Sequence, residues 1–151
     1  MNTIDILEKN IGFTLPEGYK RYISDIDTYK YVEFQGDSES RDWYLYGIKE
    51  LTNEVKVSGS GKEPFYRCLG LFLKCYFDFI GKRKMIKSPV GYIEPERVEG
   101  AFVIGEENGD YLYLDSKENF SVWIYYHDGS EVKRLSPNFK YFQKKIKEIE
   151  I

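Results

Sequence analysis

The sequence predicts an α+β fold: a single domain over residues 1–151, with a mainly antiparallel sheet flanked by helices. Three observations predict it. Helical periodicity sits at the two ends, in Thr3–Ile26 and again after Ser136. Between Ala101 and Leu135 apolar and polar residues alternate around Asn108-Gly109-Asp110 and His127-Asp128-Gly129-Ser130, which is how hairpins read. The chain is also rich in Tyr (14) and Phe (10), residues suited to half-buried strand positions. At 151 residues it buries roughly 70% of its unfolded surface, so it needs neither disulfide nor metal to fold.

Thr3 to Asn10 reads as a short helix that Thr3 caps and Gly12 ends, with Ile4, Leu7 and Ile11 on one face. A second helix starts at Leu15-Pro16-Glu17, where proline costs no hydrogen bond. Its buried stripe is Tyr19, Tyr22, Ile23 and Ile26. Tyr31 to Phe34 and Trp43 to Tyr46 read as strands joined by a charged turn, Gly36 to Asp42, and Ile48 to Val55 as a short helix. Ser58 to Gly61 is a flexible connector inside the domain, because neither flank is long enough to stand alone.

From Phe65 to Lys84 alternation competes with helical spacing. Glu63, Arg67, Lys74 and Asp78 fall on one helical face, which favours a mostly buried helix. Strands follow at Ala101–Gly105, Tyr111–Leu114, Val122–Tyr126 and Val132–Leu135. Ser136-Pro137-Asn138 opens a closing helix whose stripe is Phe139, Phe142, Ile146 and Ile149.

Charge and motif content exclude several classes. A net charge of −3 argues against general nucleic-acid binding, and the basic run Lys82, Arg83, Lys84 and Lys87 reads as a solvated helix end. No apolar run approaches the ~18 residues of a membrane helix, and the opening residues do not form a signal peptide. With free thiols expected, the location reads as cytoplasmic. Cys68 and Cys75 lie outside common zinc and redox spacings, so both read as core residues. Ser58 to Lys62 fails the phosphate-loop pattern, since Lys56 stands where its first glycine belongs. No metal or other cofactor is expected.

His127, the single histidine, suggests a general base oriented by Asp128 or Asp110, but strand neighbours diverge and no nucleophile is in evidence. Glu106, Glu107, Asp110, Asp115 and Glu118 gather along the hairpin without a calcium-loop pattern. They read as a solvated loop or as an acidic edge that meets a basic partner.

Several stretches together resemble the SMI1/KNR4 (SUKH) superfamily. Ile11-Gly12-Phe13-Thr14-Leu15-Pro16-Glu17-Gly18-Tyr19 is similar to its opening. Phe102-Val103-Ile104-Gly105 with Gly109-Asp110-Tyr111-Leu112-Tyr113-Leu114-Asp115 resembles its central strand pair. Val122 to His127 resembles the next strand, and Ser136 to Ile146 the closing helix. Residues 66–97 match no part of the pattern. The resemblance implies an α+β fold without enzymatic activity, and for bacterial members an immunity protein that neutralises a toxin by binding it.

On that reading the partner is a protein, specifically a toxin domain such as a basic nuclease, with no membrane and no direct nucleic-acid contact. The candidate contacts are Asp37, Glu39, Asp42, Trp43, Glu106, Glu107, Asp110 and Glu118, all placed in or beside turns. A regulatory or scaffold module with an endogenous partner is the alternative, and a hydrolase built on His127 the third reading.

Overall fold

A computed structural model of the chain describes residues 3–36, 40–52, 54–55, 65–66 and 85–149. Helix α1 (Thr3–Ile11) leads to α2 (Glu17–Ile23). Gly12 ends α1 at φ +86°, a left-handed conformation that costs glycine nothing, and its N–H donates to the Glu8 carbonyl. Pro16 precedes α2 in extended conformation, one position outside the helix, where no donor is missed.

The strands are β1 (Tyr29–Gln35), β2 (Ser40–Tyr46), β3 (Glu54–Val55), β4 (Phe65–Tyr66), β5 (Ile86–Ser88), β6 (Gly91–Ile93), β7 (Ala101–Glu107), β8 (Asp110–Asp115), β9 (Ser121–Tyr126), β10 (Glu131–Ser136) and β11 (Ile146–Glu148). Helix α3 spans Ile48–Leu51, α4 spans Phe139–Lys144, and a 3-10 turn runs over Pro95–Val98. Nine strands form one sheet in the order β11-β1-β2-β7-β8-β9-β10-β5-β6, while β3 and β4 pair separately. Every pairing in the large sheet is antiparallel except β10 with β5. The α+β architecture with a mainly antiparallel sheet is the one expected from the sequence.

The β7–β8 turn shows why the hairpin was legible. Glu107 pairs with Asp110, so only Asn108 (φ +51°) and Gly109 (φ +86°) bridge the strands. Both dihedrals are positive, as a two-residue turn of the twist-compatible kind requires. A side chain at Gly109 would also press on the His127 ring, 3.1 Å away.

The core lies between one sheet face and helices α2 and α4. Phe34 stacks on Phe142 with centroids 5.2 Å apart, and Tyr19 meets Phe102 and Phe139 edge-on at 6.2 and 5.1 Å. Each such aromatic burial contributes about 1.5–3 kcal/mol, enough to anchor helices too short to be stable alone. Asn138 caps α4 by accepting the Tyr141 N–H at 3.0 Å.

Three expectations are corrected. The closing helix ends at Lys144, and Ile146–Glu148 instead form β11 against β1, with Ile146 opposite Phe34. Ile146 satisfies its apolar surface on the sheet edge, and the Gln35 N–H donates to the Lys145 carbonyl there. The helix expected over 48–55 stops at Leu51; Glu54 and Val55 pair with Tyr66 and Phe65. That pairing makes Phe65–Tyr66 a strand rather than the start of a helix, because a cross-strand ladder outweighs a short local periodicity. The remainder of that expected helix, both cysteines, the Ser58–Lys62 stretch and the basic residues 82–84 lie outside the described residues.

Candidate protein-interaction face

Side chains alternate along β1 and β2, so each strand sends one set toward the helices and the other away. Val32, Phe34, Arg41, Trp43 and Leu45 share the helix side, and all but Arg41 are buried. Tyr29, Tyr31, Glu33, Asp42 and Tyr44 share the opposite side. There Tyr31 and Tyr44 are direct cross-strand partners, stacked 4.5 Å apart with planes 26° from parallel. Tyr29 meets Tyr44 edge-on at 6.3 Å. Tyr29 and Tyr44 remain 45% and 38% exposed, large apolar areas for a protein surface.

The tyrosine hydroxyls donate to acids at the margins of this face. Tyr31 donates to Asp42 Oδ2 at 3.1 Å and Tyr29 to Glu50 Oε1 at 2.8 Å. Partial burial and then the Asp42 hydrogen bond raise the pKa of Tyr31, so the phenol stays neutral and the negative charge stays on the carboxylate. Glu106 of β7 pairs with Tyr44 and Tyr111, which extends the face by one acid that has no ion-pair partner among the described residues. The arrangement is a row of rigid aromatic rings edged by carboxylates.

The other acids at the turns serve a different purpose. Arg41 donates from Nε to Glu107 at 2.6 Å and from Nη2 to Asp110 at 2.9 Å. Asp110 Oδ1 also faces His127 Nδ1 at 2.6 Å and accepts the His127 backbone N–H at 3.0 Å. Burial alone would raise the Asp110 pKa, but hydrogen bonds from the His127 backbone and ring and from Arg41 outweigh it and hold the carboxyl below its ordinary value. This hub ties β2, β7, β8 and the β9–β10 turn together at one end of the sheet.

The sequence-predicted contacts therefore separate. Asp42 and Glu106 lie on the tyrosine face; Asp42 belongs to β2 itself and not to a turn. Glu107 and Asp110 are committed to Arg41, and Asp110 is 8% exposed, so neither is a free steering acid. Trp43, expected as a surface anchor, is wholly buried on the helix side because its strand position alternates away from Tyr44. Glu118 sits apart, near Arg97 (3.7 Å) and Arg134 (3.9 Å). Asp37 and Glu39 lie outside the described residues. Sequence reasoning missed Tyr29, Tyr31 and Tyr44; the signal was the run Tyr29-Lys30-Tyr31, whose alternation puts two rings on one face.

Two alternatives are narrower than the sequence left them. His127 has an acidic partner, Asp110 rather than Asp128, but no hydroxyl among the described residues bonds to its ring. Asp115 is engaged in a bidentate pair with Arg97 at 2.8 and 3.1 Å, and no cluster of metal-ligating side chains occurs among the described residues. No described helix is long and apolar enough to cross a membrane.

No curated protein and no solved structure matched the chain. The model of the SMI1 / KNR4 family (SUKH-1) matches residues 2–145, a range that runs through the 66–97 segment where no family motif is visible by eye. With the match extending over nearly the whole sequence and the α+β sheet in place, the chain belongs to the SMI1/KNR4 family (SUKH-1).

Proposed function

We propose that this chain is a non-catalytic protein-binding domain of the immunity type, acting in the cytoplasm to neutralise a toxin domain by direct contact. The observation that carries the reading is the tyrosine row, exposed Tyr29 and Tyr44 with half-buried Tyr31, edged by Asp42 and Glu106. Tyrosines supply large contact area with little rotamer entropy to lose, and they dominate binding energy at many interfaces. Carboxylates at the margin attract a basic partner and speed its approach. A basic nuclease-type toxin fits that combination.

The test requires a cognate toxin domain, sought first in the reading frames that neighbour this gene. Tyr44→Ala is expected to weaken its binding about thirtyfold, the equivalent of a ~2 kcal/mol hot spot. Glu106→Lys is expected to lower the association rate, most clearly at low salt. Both variants should lose protection in co-expression. Undiminished affinity and protection in the double variant would remove this face from the reading.

A further inference from the structure

A concave surface lies on the other side of the sheet. Between α2, α4 and the β8–β9 turn is an open cleft of about 720 Å³. That is the size of sites that take peptide segments or small ligands. Its walls include the rings of Tyr22, Phe120 and Phe139. Tyr22 and Phe139 lie 5.3 Å apart, and burial, then the charge of Glu148, push the Tyr22 hydroxyl up to about 12. Phe120 is held at φ +55°, a left-handed conformation that a bulky residue rarely adopts, with its ring 5.9 Å from Phe13. The cleft is thus an aromatic trough with a fixed wall.

Its charge is opposite to that of the tyrosine face. Arg21 and Lys140 stand at its rim, both exposed and neither in an ion pair among the described residues. Lys30 lies over the Tyr22 ring at 5.4 Å and meets Glu148 at 3.4 Å. Asp25 is the one acid among the lining residues. Two uncommitted cations against one acid, on a chain of net charge −3, make a local positive spot. The remaining polar lining is Asn119, Gln143 and Asn138, the last with its carbonyl oxygen already taken by the α4 cap, and the free primary amides pair with the N–H and C=O of an extended backbone.

We propose that this cleft binds an extended peptide segment of a partner protein, one that carries an aromatic or large apolar side chain beside Asp or Glu. The ring enters the trough, the carboxylates meet Arg21 and Lys140, and the amide side chains read the main chain. Charge complementarity and the amide lining together favour a peptide over a neutral apolar ligand. The site is independent of the tyrosine face and does not rest on it.

The probe is a phage-displayed library of random octapeptides, selected on the full chain. Enriched sequences are then made with a fluorescein label and titrated by fluorescence anisotropy. The expected enrichment is an acid next to Phe, Tyr, Trp or Leu. Arg21→Glu/Lys140→Glu should weaken the enriched peptide at least tenfold, and Gln143→Ala several-fold. All three residues are exposed, so the fold is expected to persist, and unchanged thermal melts are the check.

Tyr44→Ala/Glu106→Lys should leave peptide affinity unchanged, which separates this site from the toxin-binding face. Absence of enrichment, enrichment of basic peptides, or indifference to the charge reversal would overturn the proposal. So would displacement of the peptide by free N-acetylphenylalanine as effectively as by unlabelled peptide, since that marks a small-molecule site.

Discussion

The guanidinium of Arg41 lies 4.5 Å from the centre of the Trp43 ring, two residues further along the same strand. The same guanidinium holds Glu107 and Asp110. One side chain therefore caps a buried indole and neutralises the acids at the β7–β8 turn.

Arg41→Ala should uncover the indole and leave two carboxylates facing each other. Exposed pairs contribute up to about 1 kcal/mol and loss of one partner of a buried pair costs about 3–5 kcal/mol. With Arg41 and Glu107 each about one-fifth exposed, a loss of roughly 2–3 kcal/mol is expected between those limits. Urea denaturation measures it, and a double-mutant cycle with Asp110→Asn isolates the coupling. A coupling near zero would mean that Arg41 acts through Glu107 and its cover of Trp43, not through Asp110. For the same reason, reversing Glu106, Glu107 and Asp110 together would damage the fold, whereas Glu106→Lys alone should not.

Acid should erode the hub in a defined direction. The Asp110 carboxyl is held below its ordinary value of 3.8 in the folded chain. Its contribution is therefore fully present above pH 3.8 and disappears as pH falls below that value through the folded pKa. Melting temperature followed from pH 6 down to pH 2 should fall for the wild type. In Asp110→Asn, which starts lower, that part of the decline should be missing. Parallel curves would assign acid sensitivity elsewhere.

Tyr19→Phe should not destabilise the protein. The Tyr19 hydroxyl is fully buried and has no hydrogen-bond partner among the described residues, and burial pushes its pKa well above the ordinary value, so it stays protonated. Removing an unpaired buried hydroxyl while keeping the ring is expected to add about 1 kcal/mol. A lower denaturation midpoint would reveal a partner for that hydroxyl.

Two glycines should respond oppositely to alanine. A side chain at Gly105 would meet the Tyr44 carbonyl oxygen at 2.6 Å and Leu45 Cδ2 at 3.1 Å, where β7 and β2 approach each other. Gly105→Ala is expected to cost about 1–3 kcal/mol. Gly18, inside α2 and without a neighbour within 4 Å, should gain about 0.5–1 kcal/mol as alanine. Equal midpoints in the two variants would contradict the close approach of the strands.

Elements defined by local chemistry were legible in the sequence. Asn108-Gly109 announced its hairpin because few residues accept two successive positive φ values, and Ser136-Pro137-Asn138 announced α4, where Asn138 proves to be the cap. What distant residues decide was hidden. Ile146 and Ile149 extend the helical stripe of Phe139 and Phe142 on paper, and only β1 turns Ile146–Glu148 into a strand. The site divides in the same way. Alternation around Tyr44 shows that Trp43 must face the other side once β2 is accepted, but nothing local shows that Arg41 will reach Asp110 or that Asp110 will reach His127.

Strand β1 lies between β2 and β11, so the β1–β2 hairpin gains one of its two neighbours from a segment far along the chain. On the ribosome, β1 must wait with an open flank while roughly a hundred further residues emerge. Open flanks invite intermolecular pairing. Pairing with Ile146–Glu148 then protects that flank once the segment has emerged. Chains stalled before this point should be the form of the protein most dependent on chaperones.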